Sequence, residues 1–231
     1  MRRAAMSKFM QLADAIAPIP DGATIMVGGF GSPGTPFSLL AELQRQRKRD
    51  LTIIKNDANQ DGYGVSRLIE AGVVRRLLTT HLGLSGPARR AHLAGTLQVE
   101  FFSQGLFAER IRSAGVGLPG VVTDIELPPE LGASRETILV AGRTMYFEPA
   151  LRADFALLHA DRADAYGNLR YRGAARNFSP LMAMAADRVL VEARVIDDAP
   201  LAPDHIHTPG IHVHGLIQID GDDDEYQPIG R

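Results

Sequence analysis

The residues best placed to do chemistry are the glycines at 28, 29, 31 and 34, which follow the apolar, β-branched run Thr24–Val27. Glycines let the backbone take positive φ and come close to a ligand, and Pro36 suits the first position of a helix that residues 37–43 continue. Free backbone N–H groups and the positive end of a helix dipole meet at such a place, where an anion or a developing oxyanion can rest. Two other readings stand beside this one. The glycines could simply make a tight strand-to-helix turn, and Gly29-Phe-Gly-Ser-Pro-Gly34 also satisfies the G-x-G-x-x-G dinucleotide pattern. That pattern needs an acidic partner ending the second strand, whereas Asp50 precedes it. A nicotinamide-dinucleotide oxidoreductase stays open as an alternative.

Other reactive groupings are weaker. His205, His207, His212 and His214 form two pairs at strand spacing. Alternate residues of a strand share a face, so His205 and His207 could chelate, yet no convergent carboxylate or thiolate accompanies them. A surface strand or subunit contact is the plainer reading, and no metal is assigned. Ser32 lacks the G-x-S-x-G elbow, and no particular histidine stands out as its base. The glutamates lie mostly on expected helices or in loops, none in a motif that suggests an activated nucleophile.

The elements that position these residues read as one α/β domain. The 231 residues, 45% of them hydrophobic, can bury a sizeable core. A net charge of −2, with no basic cluster interleaved with aromatics, argues against nucleic acid. The absence of cysteine removes disulfides, thiolate catalysis and thiolate metal sites, and suits a cytoplasmic setting. No apolar run approaches a membrane span, and residues 9–16 read as an amphipathic helix and not a signal sequence. Strands are expected at 24–27, 51–55, 76–80 and 97–102, alternating with helices at 37–43, 65–71, 87–94 and 106–114. That alternation implies an open, mostly parallel sheet flanked by helices. Residues 121–132 look aperiodic, a functional loop or insertion. Residues 137–147 read as a hairpin turning at Ala141-Gly142, near the middle of the chain, that makes the sheet mixed. Further strands follow at 154–160, within 166–171 and at 188–192, with a helix over 177–186 that Ser179 caps and Pro180 opens. The domain is expected to span 1–219, with an acidic solvated tail at 220–231.

The whole first stretch, Asp21-Gly, two residues, three aliphatics, Gly-Gly-Phe, three residues, Gly34, one residue, Pro36, closely resembles the signature of the family I CoA-transferase α subunits, which include the 3-oxoacid CoA-transferases. The resemblance runs from about residue 6 to 217. It takes in Gln104-Gly-x-x-Ala-Glu-Arg-Ile-Arg112, Gly167-Asn-Leu, Ala175-Arg-Asn-Phe178 and Pro203-Asp-His-Ile-His-Thr-Pro-Gly210. It implies that Gly28, Gly29, Phe30, Gly31, Ser32, Pro33 and Gly34 form a CoA-binding loop, and that the amides of Asn56 and Gln104 face a glutamate of a β subunit. The family's nucleophile lies in a Glu-Asn-Gly motif of that β subunit, whereas this chain contains no Glu-Asn-Gly.

The resemblance thus implies an α2β2 enzyme that moves CoA, with no tightly bound cofactor, between an acyl-CoA such as succinyl-CoA and a carboxylic acid. The acid would be a 3-oxoacid such as acetoacetate or 3-oxoadipate. A non-catalytic CoA-ester-binding homo-oligomer is the other alternative. The chain departs from the family after Thr123, where Asp124-Ile-Glu-Leu-Pro-Pro-Glu-Leu131 replaces a Pro-Thr-Gly-x-Gly-Thr loop, and this puts the usual acids in question.

Overall fold

A computed structural model describes residues 8–125 and 135–219. After a short α1 (Leu12–Ile16), the strands β1 (Thr24–Val27), β2 (Leu51–Ile54), β3 (Val74–Thr79) and β4 (Gln98–Phe101) alternate with α2 (Phe37–Arg45), α3 (Gly64–Glu70) and α4 (Gly86–Leu93). Then come α5 (Gln104–Gly115), β5 (Gly120–Thr123), β6 (Glu136–Val140), β7 (Arg143–Pro149), β8 (Ala153–Asp164), β9 (Leu169–Arg170), α6 (Ser179–Ala185), β10 (Ala186–Asp197) and β11 (Gly215–Gln218).

The large sheet has the order β11-β10-β8-β1-β2-β3-β4 with every neighbouring pair parallel, and β9 adds antiparallel to β8. Helices cover both faces, which is why the central strands read as nearly continuous apolar runs. Ile25 and Val27 of β1 pack with Leu39, Leu43, Val65 and Leu68 of α2 and α3. Met26, one residue out of phase, packs on the opposite side with Phe107 and Ile111 of α5 and Met182 of α6. From β1 the chain builds outward through β2, β3 and β4, then resumes on β1's other side with β8, β10 and β11. The order therefore reverses between β1 and β8, and ligands of open α/β sheets gather at the carboxyl ends beside such a reversal.

The hairpin departs from expectation. β6 and β7 do turn at Ala141 and Gly142, both at positive φ (50° and 78°) as a tight two-residue hairpin requires. They pair with β5 in a separate three-stranded antiparallel sheet of order β5-β7-β6, so the mixed character of the large sheet comes from β9 instead. The segment 121–132, expected to be aperiodic, begins with a strand, because Val121-Val-Thr123 is itself a β-branched run. Its residues 126–132 lie outside the described ones, as does most of the altered 124–131 stretch. Buried charges tie the small sheet to α5: Arg110 donates to Pro149 O at 2.6 Å and, with Arg135, pairs with Glu148.

Smaller differences follow from local chemistry. The helix expected over 9–16 begins only at Leu12, since Phe9 lies beside Leu216 as a parallel bridge on the sheet edge. Pro36 is the residue before α2 and not its first. Ser179 starts α6 without capping it, and its buried Oγ has no partner among the described residues. The 220–231 tail lies outside the described residues. Among the described residues no helix is long and apolar enough to cross a membrane.

Candidate active site

Gly28 N–H donates to Leu157 O of β8 at 3.0 Å, which seats the glycine loop between β1 and β8, at the reversal. The four glycines serve different ends. A Cβ on Gly28 would stand 2.9 Å from Ser179 Oγ, one on Gly29 2.6 Å from Thr35 N, and one on Gly34 2.5 Å from Ala175 O. Those three are glycines because the fold closes on them. Gly31 also has positive φ, 63°, but a Cβ there would meet nothing within 4 Å. Of these four, Gly31 alone faces open space. Phe30 N and Thr35 N are satisfied inside the loop by Pro33 O and Ser32 O, whereas the N–H groups of Gly29, Ser32 and Gly34 find no acceptor among the described residues.

A buried polar cluster at the end of β2 braces this loop. Lys55 is wholly buried, its ammonium 3.3 Å from Asp57 Oδ1 and 3.4 Å from the carbonyl oxygens of Gly29 and Gly31. Asp57 in turn accepts from Gly31 N (2.8 Å), Asn59 N (2.8 Å) and Asn56 Nδ2 (3.4 Å). Burial opposes the Asp57 charge, but Lys55 and these donors outweigh it and hold the carboxyl below the usual range. Burial likewise pulls the Lys55 ammonium down, and Asp57 offsets part of that. Asn59 Nδ2 and Thr35 Oγ1 both donate to Gly31 O, at 2.8 and 2.7 Å.

The two amides singled out in sequence sit differently. Gln104 opens α5 at the carboxyl end of β4 and is exposed. Asn56 is fully buried, its Oδ1 accepting from Thr80 Oγ1 at 3.2 Å and its Nδ2 turned to Asp57. Because β1 to β4 are parallel, the glycine loop, Asn56 and Gln104 leave the same edge of the sheet. A second clamp comes from the 3-10 turn Gly173–Arg176, whose Ala175 O abuts Gly34. Asn177, at φ 24°, redirects the chain there so that Phe178 stacks on Phe30 (6.4 Å between centroids) and meets Phe107 edge-on at 5.4 Å. Phe30 itself is 42% exposed at the rim of the loop.

Sequence reasoning missed Lys55, Asp57, Asn59 and the Asn177 clamp. The signal for the first was present: a lysine closing an aliphatic strand, with an aspartate two residues on, is a buried pair on one face. Asn177 lay in a motif that carried no assigned role, although asparagine tolerates positive φ better than most residues.

The buried acids are already engaged. Glu192, fully buried in β10, accepts from Leu39 N at 2.9 Å and lies 3.2 Å from His159 Nδ1. Glu42 is held by Arg45 and Gln46, and Glu148 by the two arginines. Among the described residues the one carboxylate bonded to the loop is Asp57, and its two oxygens are taken by four donors. None of the four histidines lies in a strand. His205 ends the 3-10 turn Pro203–His205 and His212 the turn Gly210–His212, because prolines at 203 and 209 break the run. His207 Nδ1 accepts from Tyr171 N and His214 Nδ1 from Val189 N, both at 3.0 Å. Among the described residues no three His, Cys, Asp or Glu converge to hold a metal.

A glycine loop at the reversal of a parallel sheet, with N–H donors unused and an open face at Gly31 among the described residues, has the donor chemistry that suits a carbonyl-bearing or anionic ligand. Residues 9–218 match the coenzyme A transferase family model, and the chain belongs to that family. It is 41% identical over 212 residues to the alpha subunit of the acetate CoA-transferase of Escherichia coli (strain K12), covering 91% of this chain and 96% of that one. It is 39% identical over 216 residues to the A subunit of the 3-oxoadipate CoA-transferase of Pseudomonas putida, covering 92% and 94%. The crystal structure of a variant of the decarboxylase AibA/AibB superposes with a TM-score of 0.80 at 30% identity, covering 93% of this chain and 84% of that one.

Proposed function

We propose that this chain is the α subunit of a CoA-transferase whose β subunit supplies the nucleophilic glutamate, in an α2β2 enzyme. The β carboxylate attacks the acyl carbon of a bound acyl-CoA, and the carbonyl electron pair moves onto oxygen. Collapse of that oxyanion breaks the C–S bond and releases CoA thiolate, leaving a mixed anhydride. The thiolate then attacks the glutamyl carbonyl, which frees the first acid and leaves CoA on the glutamate. The second acid runs the same steps in reverse and leaves as its CoA ester. Succinyl-CoA is the donor and a 3-oxoacid such as acetoacetate or 3-oxoadipate the acceptor in this reading.

The observation that carries it is the open face above Gly31, with loop donors unused and no glutamate of this chain bonded to the loop among the described residues. Gly28 to Gly34 hold the thioester. Gln104 is exposed to meet a partner, and Asn56 lies buried at the same edge of the sheet. Uncharged amides can hold an oxyanion without quenching the nearby carboxylate. The test is steady-state kinetics with succinyl-CoA and acetoacetate, then with 3-oxoadipate. The chain alone should transfer no CoA, and adding the β subunit should give parallel-line ping-pong kinetics. Robust transfer by the chain alone overturns the reading.

A further inference from the structure

The Gly31–Ser32 peptide is gripped from one side only. Its carbonyl oxygen accepts from Thr35 Oγ1 at 2.7 Å, Asn59 Nδ2 at 2.8 Å and, more weakly, Lys55 Nζ at 3.4 Å. No peptide bond among the described residues is cis, and a trans peptide sets its N–H opposite its C=O. Three donors on the oxygen therefore aim the Ser32 N–H away from the polar cluster. That N–H has no acceptor among the described residues although Ser32 is only 3% exposed, and sheltered orphan donors are rare in folded chains. On the Gly31 side of this peptide the Cβ direction faces open space. Donors crowding the carbonyl also polarise the peptide and strengthen its N–H.

We propose that the Ser32 N–H donates to the acyl oxygen of the bound thioester, and that Lys55 is the positioning residue that fixes this peptide, an inference that rests on the CoA-transfer reading above. Lys55, wholly buried, never touches substrate. It draws the Gly29 and Gly31 carbonyls inward, and Asp57, which neutralises it, ties down the Gly31 N–H from the same side. The acyl oxygen gains charge as the partner's carboxylate attacks, so the donor is worth most at that moment.

Kinetics of the two-subunit complex with succinyl-CoA as donor and acetoacetate as acceptor test this. Lys55→Met alone strands the Asp57 charge and risks unfolding, so it is paired with Asp57→Asn, which removes both ions. For the double variant kcat should fall about 10-fold or more while the KM for succinyl-CoA stays within about twofold. An unchanged kcat overturns the proposal. A measurement independent of turnover uses the complex with this chain labelled with 15N-serine and titrated with succinyl-CoA. The Ser32 amide should shift in the wild type, and by less than half as much in the double variant. A still Ser32 amide while turnover proceeds overturns this proposal and leaves the CoA-transfer reading standing. Wild-type complex that neither transfers CoA nor shows any shift overturns both.

Discussion

Gly31 and Gly34 occupy one loop, three residues apart, and alanine should affect them in opposite ways. At Gly34 the φ of 79° disfavours a Cβ, and the added carbon would stand 2.5 Å from Ala175 O and 3.0 Å from Ala175 Cα. The left-handed backbone costs about 1 kcal/mol and the collision with backbone about 2 more, since the turn it meets is pinned by Asn177. Gly34→Ala should therefore lose about 3 kcal/mol, which for a domain of this length lowers Tm by about 6–12 °C. At Gly31 the φ of 63° carries the same backbone cost, but the Cβ meets nothing within 4 Å. Gly31→Ala should lose only about 1 kcal/mol, or about 2–4 °C. It should nonetheless depress CoA transfer by about 100-fold, because its methyl group occupies the face where the thioester must lie. Thermal melts of the chain, with transfer kinetics of the complex at a temperature where both variants are folded, measure both quantities. Equal stability losses, or a Gly31→Ala enzyme with wild-type turnover, would refute the division between packing and ligand-facing glycines.

Three further predictions concern the supports. Asn177→Ala removes the acceptor for Phe178 N and two donated bonds while keeping φ at 24°, and should cost about 1–3 kcal/mol by urea titration. Asn177→Gly loses the same bonds but relieves the backbone, so it should be about 1 kcal/mol milder, and the reverse order would show that the residue is not strained. Glu192→Leu strips the acceptor from Leu39 N–H in the first turn of α2 and should cost about 1–3 kcal/mol, whereas Glu192→Gln, which keeps an acceptor, should cost less than half of that. Asp164 is buried, which opposes its charge. Bonds from Asn168 Nδ2 and from the N–H groups of Leu201, Asn168 and Tyr166 win and hold its carboxyl below the usual range. A depressed folded-state pKa gives stability that is fully present above the unfolded value of about 3.9 and is lost as pH falls through the folded one. The urea midpoint of the wild type should thus drop below about pH 4 more steeply than that of Asp164→Asn, and parallel curves there would exclude Asp164 as a source of the acid sensitivity.

Much of this molecule was legible in its sequence, and the reasons are local. β1 and β2 are dense in β-branched aliphatics bounded by turn residues, so their bounds agree with the structure to within a residue. The glycine loop could be located because only positive φ explains so many glycines between a strand and a helix. What each glycine does was not legible, since the atoms that crowd Gly28, Gly29 and Gly34 come from residues 34, 35, 158, 175 and 179. The separate sheet was invisible for a similar reason: nothing in the 137–147 pattern says that β7 pairs with residues 120–123 and not with β4 or β8. Likewise β8 and β10 continue to Asp164 and Asp197, well beyond their aliphatic stretches, because their ladder runs on through the pairs Arg162–Val195, Ala163–Ile196 and Asp164–Asp197. Lys55 read as the polar end of a strand. Asp57, two residues on and on the same face, was the sign that it points inward.

The separateness of the β5-β7-β6 sheet bears on how such a protein can diversify. None of its three strands shares a ladder with β1, β2, β3, β4 or β8, and it is moored to the body by Arg110 of α5 and the side chain of Glu148. Residues that join β5 to β6 can be exchanged, lengthened or recharged without sliding a single strand of the platform that carries the glycine loop. The stretch after Thr123 is thereby a module that evolution, or an engineer, can rewrite while the machinery beside it keeps its alignment.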